Sequence, residues 1–140
     1  MPSTHTSLHC HVVFSTKDRR PLIKELWRER LHGYLGGIIR SAEAIPEAIG
    51  GVEDHVHLLI GLRASHRLAD LVRDLKSVSS RWVHEEIGSA LFEWQEGYGV
   101  FSYGQSQIDK GYKYIQNQEA HHKKQTFRNE YLEFLKKFKV

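Results

Sequence analysis

In Asp54-His55-Val56-His57-Leu58-Leu59-Ile60, apolar side chains alternate with two histidines before the run turns wholly apolar. That alternation has the period of a strand, with Val56, Leu58 and Ile60 on one face and His55 and His57 on the other. Leu8-His9-Cys10-His11-Val12-Val13-Phe14 repeats the parity: Leu8, Cys10, Val12 and Phe14 form an apolar face, and His9 and His11 lie opposite. Each apolar face must be buried against another layer, so the chain between and after these strands has to supply helices.

Helical spacing appears where it is needed. From about Leu22 to Ala42 the residues Leu26, Trp27, Leu31, Tyr34, Leu35, Ile38 and Ile39 recur at that period, and from about Leu68 to Ile87 a stripe of Leu68, Leu71, Val72, Leu75, Trp82 and Val83 does the same, with Ser65 as its expected cap. Ala44 to Val52 contains Pro46 and Gly50-Gly51, yet Glu53-Asp54 forms a turn signal into the His55 run, which reads as a hairpin. Val100 to Tyr103 is a last short strand. Ser106 and Asp109 stand in capping-box spacing and open a third helix, Gln107 to about Ala120. A basic stretch, His121-His122-Lys123-Lys124, leads to a C-terminal helix near Phe127 to Phe138. Strand, helix, strand, strand, helix, strand is the order of an α+β, ferredoxin-like split βαβ fold. Its antiparallel sheet carries helices on one face, and its first and third strands are central neighbours. His9, His11, His55 and His57 are therefore expected together on the open face, with the C-terminal helices added to this core.

At 140 residues the chain suits one domain, 1–140. No apolar run approaches the ~20 residues of a membrane span, and the first residues lack the basic and apolar segments of a targeting signal. Cys10 is the single cysteine, which excludes an internal disulfide and fits a reducing, cytoplasmic setting. A net charge of +3 permits a polyanionic partner without requiring one.

Two imidazoles on one strand face can share a metal ion, although a bare His-x-His is more often a solvated pair. Four imidazoles on one face also allow a zinc site of His9, His11, His55 and His57. On the third helix, Ile108, Tyr112 and Ile115 share the side expected to be buried, leaving Tyr114 as the freer tyrosine, with Gln118 four residues on and on the same face. Arg19, Arg20, Lys76 and Arg81 suit phosphate contacts and suit solvated faces equally well. His9 and His11 stand in the same balance. Trp94, Tyr98, Phe101 and Tyr103 could stack on unpaired bases, with core packing the better account of most of them.

The chain resembles, over nearly its full length, the single-domain tyrosine transposases of small insertion sequences and their repeat-associated relatives, members of the His-hydrophobic-His endonuclease superfamily. The resemblance is carried by His11-Val12-Val13-Phe14-Ser15-Thr16-Lys17, Asp54-His55-Val56-His57-Leu58-Leu59, Leu75-Lys76-Ser77-Val78-Ser79-Ser80-Arg81-Trp82, Trp94-Gln95-Glu96-Gly97-Tyr98-Gly99-Val100-Phe101-Ser102 and Tyr114-Ile115-Gln116-Asn117-Gln118-Glu119-Ala120-His121-His122, in that order. It implies a metal-dependent nuclease and strand transferase acting as a homodimer on single-stranded DNA with hairpin or repeat ends. By position, His55 and His57 become metal ligands, Gln118 the third, and Tyr114 the nucleophile that forms a 5′-phosphotyrosine. Mg²⁺ or Mn²⁺ suits such a mixed nitrogen and oxygen set. Lys110 and Lys113 lie close enough in sequence to favour the phenolate or contact DNA. The rival reading is a non-catalytic module that binds single-stranded nucleic acid on the same scaffold. Tyr103 departs from the family pattern, which has a small aliphatic residue there.

Overall fold

A computed structural model describes residues 3–122 and 125–140. Its four-stranded antiparallel sheet has the order β2-β3-β1-β4, formed by β1 (Leu8–Ser15), β2 (Ile45–Gly51), β3 (His55–Leu62) and β4 (Gly99–Tyr103). β1 and β3 are the central pair, in a register that sets Val13 opposite His57 and Ser15 opposite His55. Helices α1 (Glu25–Ser41) and α2 (Leu68–Trp82) occupy the crossovers. Val12, Phe14, Val56, Leu58 and Ile60 pack with Leu31, Leu35, Ile39, Leu71 and Leu75 into the main core, as the shared parity of the two strands requires. Pro46 sits on edge strand β2, beside a register shift between Pro46 and Ala48, where a missing N–H is tolerated.

α2 starts at Leu68 as expected, but the expected Ser65 cap and the third helix differ from the sequence expectation. α2 begins after Arg67, which makes no side-chain cap. Ser65 lies in the preceding turn, which His66 closes by accepting the Arg63 N–H at 2.8 Å. The third helix opens on a turn in which Gln107 Oε1 accepts the Gly104 N–H at 2.7 Å, so Gln107 takes the role expected of Ser106 and Asp109. It then breaks at Asn117 (φ −99°, ψ 20°) into α3 (Ile108–Gln116) and α4 (Gln118–His122). α5 (Phe127–Lys137) follows, capped by the Thr126 hydroxyl, which accepts the Asn129 N–H. Lys123 and Lys124 of the expected basic stretch lie outside the described residues.

The second sheet face is not open. α3 lies on it through Ile115, against Ala48 and Leu59. α5 lies on it through Phe134, against Val13 and Phe101. Two glycines let the helices approach this closely. A Cβ on Gly50 would stand 2.2 Å from the Ile115 carbonyl oxygen, and one on Gly99 would stand 2.7 Å from the Tyr131 ring. His11, His55 and His57 are consequently 0% exposed. Val13 and Leu59 explain the difference: both project from the histidine face, and they give that face an apolar surface of its own to bury.

Candidate active site

The hairpin leading into β3 is held from outside. Thr16 donates its N–H to the Asp54 carbonyl at 2.8 Å, and Ile23 donates to Glu53 at 2.9 Å. With the turn fixed, Asp54 Oδ1 accepts from His55 Nδ1 at 2.7 Å, which turns Nε2 inward. His57 is held similarly, its Nδ1 lying 2.7 Å from His11 Nε2. His11 Nδ1 in turn lies 2.9 Å from the Tyr103 hydroxyl. His11 faces Leu59 in the β1–β3 register, so its contact with His57 is the diagonal one that same-face residues make.

The Nε2 atoms of both β3 histidines meet one carboxylate. Glu130, on α5, places Oε1 2.9 Å from His57 Nε2 and 3.5 Å from His55 Nε2. Its other oxygen accepts from the Tyr114 hydroxyl and from Gln118 Nε2 at 3.3 Å. His121 and His122 bring Nε2 atoms within 3.3 and 3.2 Å of the same group. Burial alone would raise the Glu130 carboxyl pKa, but its contacts with His122, His57 and Tyr114 outweigh that and hold it well below the usual range. Burial lowers His57 to about 4, against the opposing pull of Glu130, and lowers His11 as well, so both rings are neutral at pH 7. Burial and then the Glu130 charge push the Tyr114 phenol up. It is protonated at neutral pH unless that charge is offset.

The donor set fits a cation. His55, His57, His122 and Glu130 offer ligand atoms within 4.8 Å of one another. His122 Nε2 is buried without a hydrogen-bond partner, because its approach to Glu130 has an ion-pair distance but not the geometry of a hydrogen bond. His55 Nε2 lies 3.2 Å from Gln118 Oε1, so a nitrogen and an amide oxygen that can each ligate a cation stand beside the Glu130 carboxylate.

The family description Transposase IS200 like matches residues 4–118, which include His55, His57, Tyr114 and Gln118. The chain belongs to the IS200-like transposase family. Two solved structures share the fold of this transposase. A candidate transposase of Deinococcus radiodurans R1 is 23% identical with a TM-score of 0.68, the alignment covering 84% of this chain and 95% of that one. A REP-associated tyrosine transposase bound to a REP hairpin is 13% identical with a TM-score of 0.62, over 87% of this chain and 74% of that one. No curated protein matches the chain. Family membership makes it a transposase, a DNA-processing enzyme. No described helix is long and apolar enough to cross a membrane.

In this transposase His55, His57, Tyr114 and Gln118 come together, and other expectations need correction. A site of His9, His11, His55 and His57 does not form. His9 Nδ1 is engaged by Glu47 at 2.5 Å, and His11 uses Nε2 on His57 itself. Being fully buried, His11 is also removed from DNA phosphates. Tyr114 is not the freer tyrosine: Tyr112 is 48% exposed, because Ile115 and the buried Gly111 set the face that α3 turns inward. Lys76 donates to the Gln95 carbonyl at 2.9 Å and lies over the Phe14 and Tyr98 rings, so it braces the loop before β4. Trp94 and Phe101 are buried in the core. Arg19, Arg20, Arg81, Lys110 and Lys113 are exposed. Arg19 borders a groove of about 410 Å³ with Arg128 and Phe127. Lys110 borders a cavity of about 600 Å³ with Tyr103, Tyr114, Phe134 and Lys137.

Glu130 and His122 were missed from sequence. Glu130 did carry a signal: it stands three residues after Phe127 and four before Phe134, a lone acid in register with the apolar stripe of α5.

Proposed function

We propose that the transposase cuts and rejoins single-stranded DNA by transesterification through a 5′-phosphotyrosine at Tyr114, with a divalent cation held by His55, His57 and Gln118. The observation that carries this reading is the reach of Glu130. One carboxylate touches the imidazole pair through one oxygen and the phenol through the other, the span that two oxygens of a phosphodiester would also cover. Glu130 and His122 are further ligand candidates.

When bound, a divalent cation supplies positive charge that offsets the non-bridging oxygens and polarises phosphorus. The remaining work belongs to the chain. Asp54 and His11 orient the two imidazoles. The Tyr114 oxygen attacks phosphorus as the bond from phosphorus to the 3′-oxygen breaks, and the phenol proton leaves by way of Glu130 as the freed 3′-oxygen is protonated. The product keeps one phosphodiester's worth of linkage energy, so a second strand's 3′-hydroxyl can reverse the step. Lys110 and Lys137 place positive charge beside Tyr114 for an incoming backbone. Mn²⁺ or Mg²⁺ is the proposed ion, the imidazoles favouring Mn²⁺ of the two. Hairpin-ended single strands are the first substrate to try, in view of the REP hairpin held by the structural neighbour, and a homodimer in the 1–140 domain is the proposed assembly.

The test incubates protein, Mn²⁺ and hairpin-flanked single-stranded DNA and resolves products under denaturing conditions. A protein-DNA adduct should form, vanish in Tyr114→Phe and fall at least tenfold in His57→Ala. Cleavage without an adduct in Tyr114→Phe would refute the mechanism. DNA binding with no cleavage under any divalent ion would favour a binding module.

A further inference from the structure

Tyr103, His11 and His57 form a continuous hydrogen-bonded run whose direction is set at its Glu130 end. Glu130 is an ionised acceptor, so His57 Nε2 donates to it at 2.9 Å. A neutral His57 then presents a lone pair at Nδ1 and accepts from His11 Nε2 at 2.7 Å. A neutral His11 in turn accepts at Nδ1 from the Tyr103 hydroxyl at 2.9 Å. Every donor points toward the site. Aromatic rings close off the sides: Phe134 lies 4.9 Å from the His11 ring and Phe101 6.4 Å. Of the three side chains in the run, Tyr103 is the one that lines the cavity, which Glu130 and Tyr114 also border.

We propose that Tyr103 and His11 are positioning residues that let His57 exchange Glu130 for a metal ion by reversing the direction of this hydrogen-bonded run. With a cation on Nε2, His57 must carry its proton on Nδ1. It then donates to His11 Nε2, and His11 donates from Nδ1 to the Tyr103 oxygen. The protons balance without a change of charge on any of the three. The one on His57 Nε2 leaves to solvent, that of His11 Nε2 passes to His57, that of Tyr103 passes to His11, and Tyr103 takes one from the solvent side. A side chain that both donates and accepts is needed at position 11. An apolar one would strand a buried Nδ1–H whenever the cation is bound, and an unmatched buried donor is costly.

The inference rests on His57 being a ligand, and the experiment separates the two claims. In ¹⁵N-histidine-labelled protein treated with chelator, long-range ¹H–¹⁵N spectra should show His57 protonated at Nε2 and bare at Nδ1. Saturating Mg²⁺ should move the proton to Nδ1. In Mn²⁺ titrations, His11→Leu should weaken binding about 10- to 100-fold, and His11→Gln, which can donate and accept, should recover most of it. His57 protonated at Nδ1 before any metal is added, or full Mn²⁺ affinity in His11→Leu, overturns the proposal. Loss of affinity in His57→Ala alone overturns it while sparing the metal reading, whereas full affinity in His57→Ala overturns both. The wild-type spectrum needs no variant, so the test survives a His11→Leu chain that fails to fold.

Discussion

The two β3 histidines are alike in sequence and unlike in support. His55 hands its Nδ1–H to the Asp54 carboxylate, a partner that fixes the ring's orientation, whereas His57 leans on a neutral ring. Asp54→Asn therefore removes charge but keeps a hydrogen-bond acceptor in place. Mn²⁺ affinity should fall about 10- to 100-fold while the thermal midpoint stays within a degree or two of wild type. An unchanged affinity in a metal titration would show that Asp54 only shapes the turn. Asp54 could be read as part of the motif, but its role could not. The turn residue becomes a partner of the ring beside it because Thr16, far away in sequence, holds its backbone.

At the scale of elements, the site is assembled by helices pressed onto the sheet face that carries the histidines. Gly50 reads from sequence as a flaw in a strand. It is the floor on which α3 rests, and the atom a side chain would strike is backbone, the Ile115 carbonyl oxygen. Gly50→Ala should cost about 1–3 kcal/mol in chemical denaturation and lower Mn²⁺ affinity, since α3 leads into Gln118. Gly37→Ala is the control. Its Cβ would meet nothing within 4 Å on helix α1, and helix propensity predicts a gain of about 0.5–1 kcal/mol. Equal effects from the two would mean that α3 rides loosely on the sheet. Strand and helix periods made these elements legible, with ends shifted by a few residues. The break at Asn117 was not legible, because it serves the placement of Gln118 against β3 and not any local preference.

For the molecule as a whole, burying histidines ties stability to pH. Burial, and then the charge of Arg28, lowers His32 to about 4, well under its value of about 6.5 in the unfolded chain. The unfolded state thus binds the proton first. Stability contributed by the neutral ring is complete above pH 6.5 and is lost as the pH falls toward 4, by up to about 3 kcal/mol. Urea denaturation between pH 7 and 4.5 should show falling stability in wild type and a shallower fall in His32→Gln. Parallel slopes would show that His32 charges freely in the folded state. The alternation of apolar residues along β1 and β3, with the stripes of α1 and α2, determined the sheet, its central pair and which residues share the histidine face, because period and parity are local properties of a chain. What the tertiary structure alone decided is that this face is covered, and that Glu130 and His122 enter it. Those contacts join residues more than sixty positions apart, and such pairing depends on how helices pack against a sheet, which no periodicity encodes.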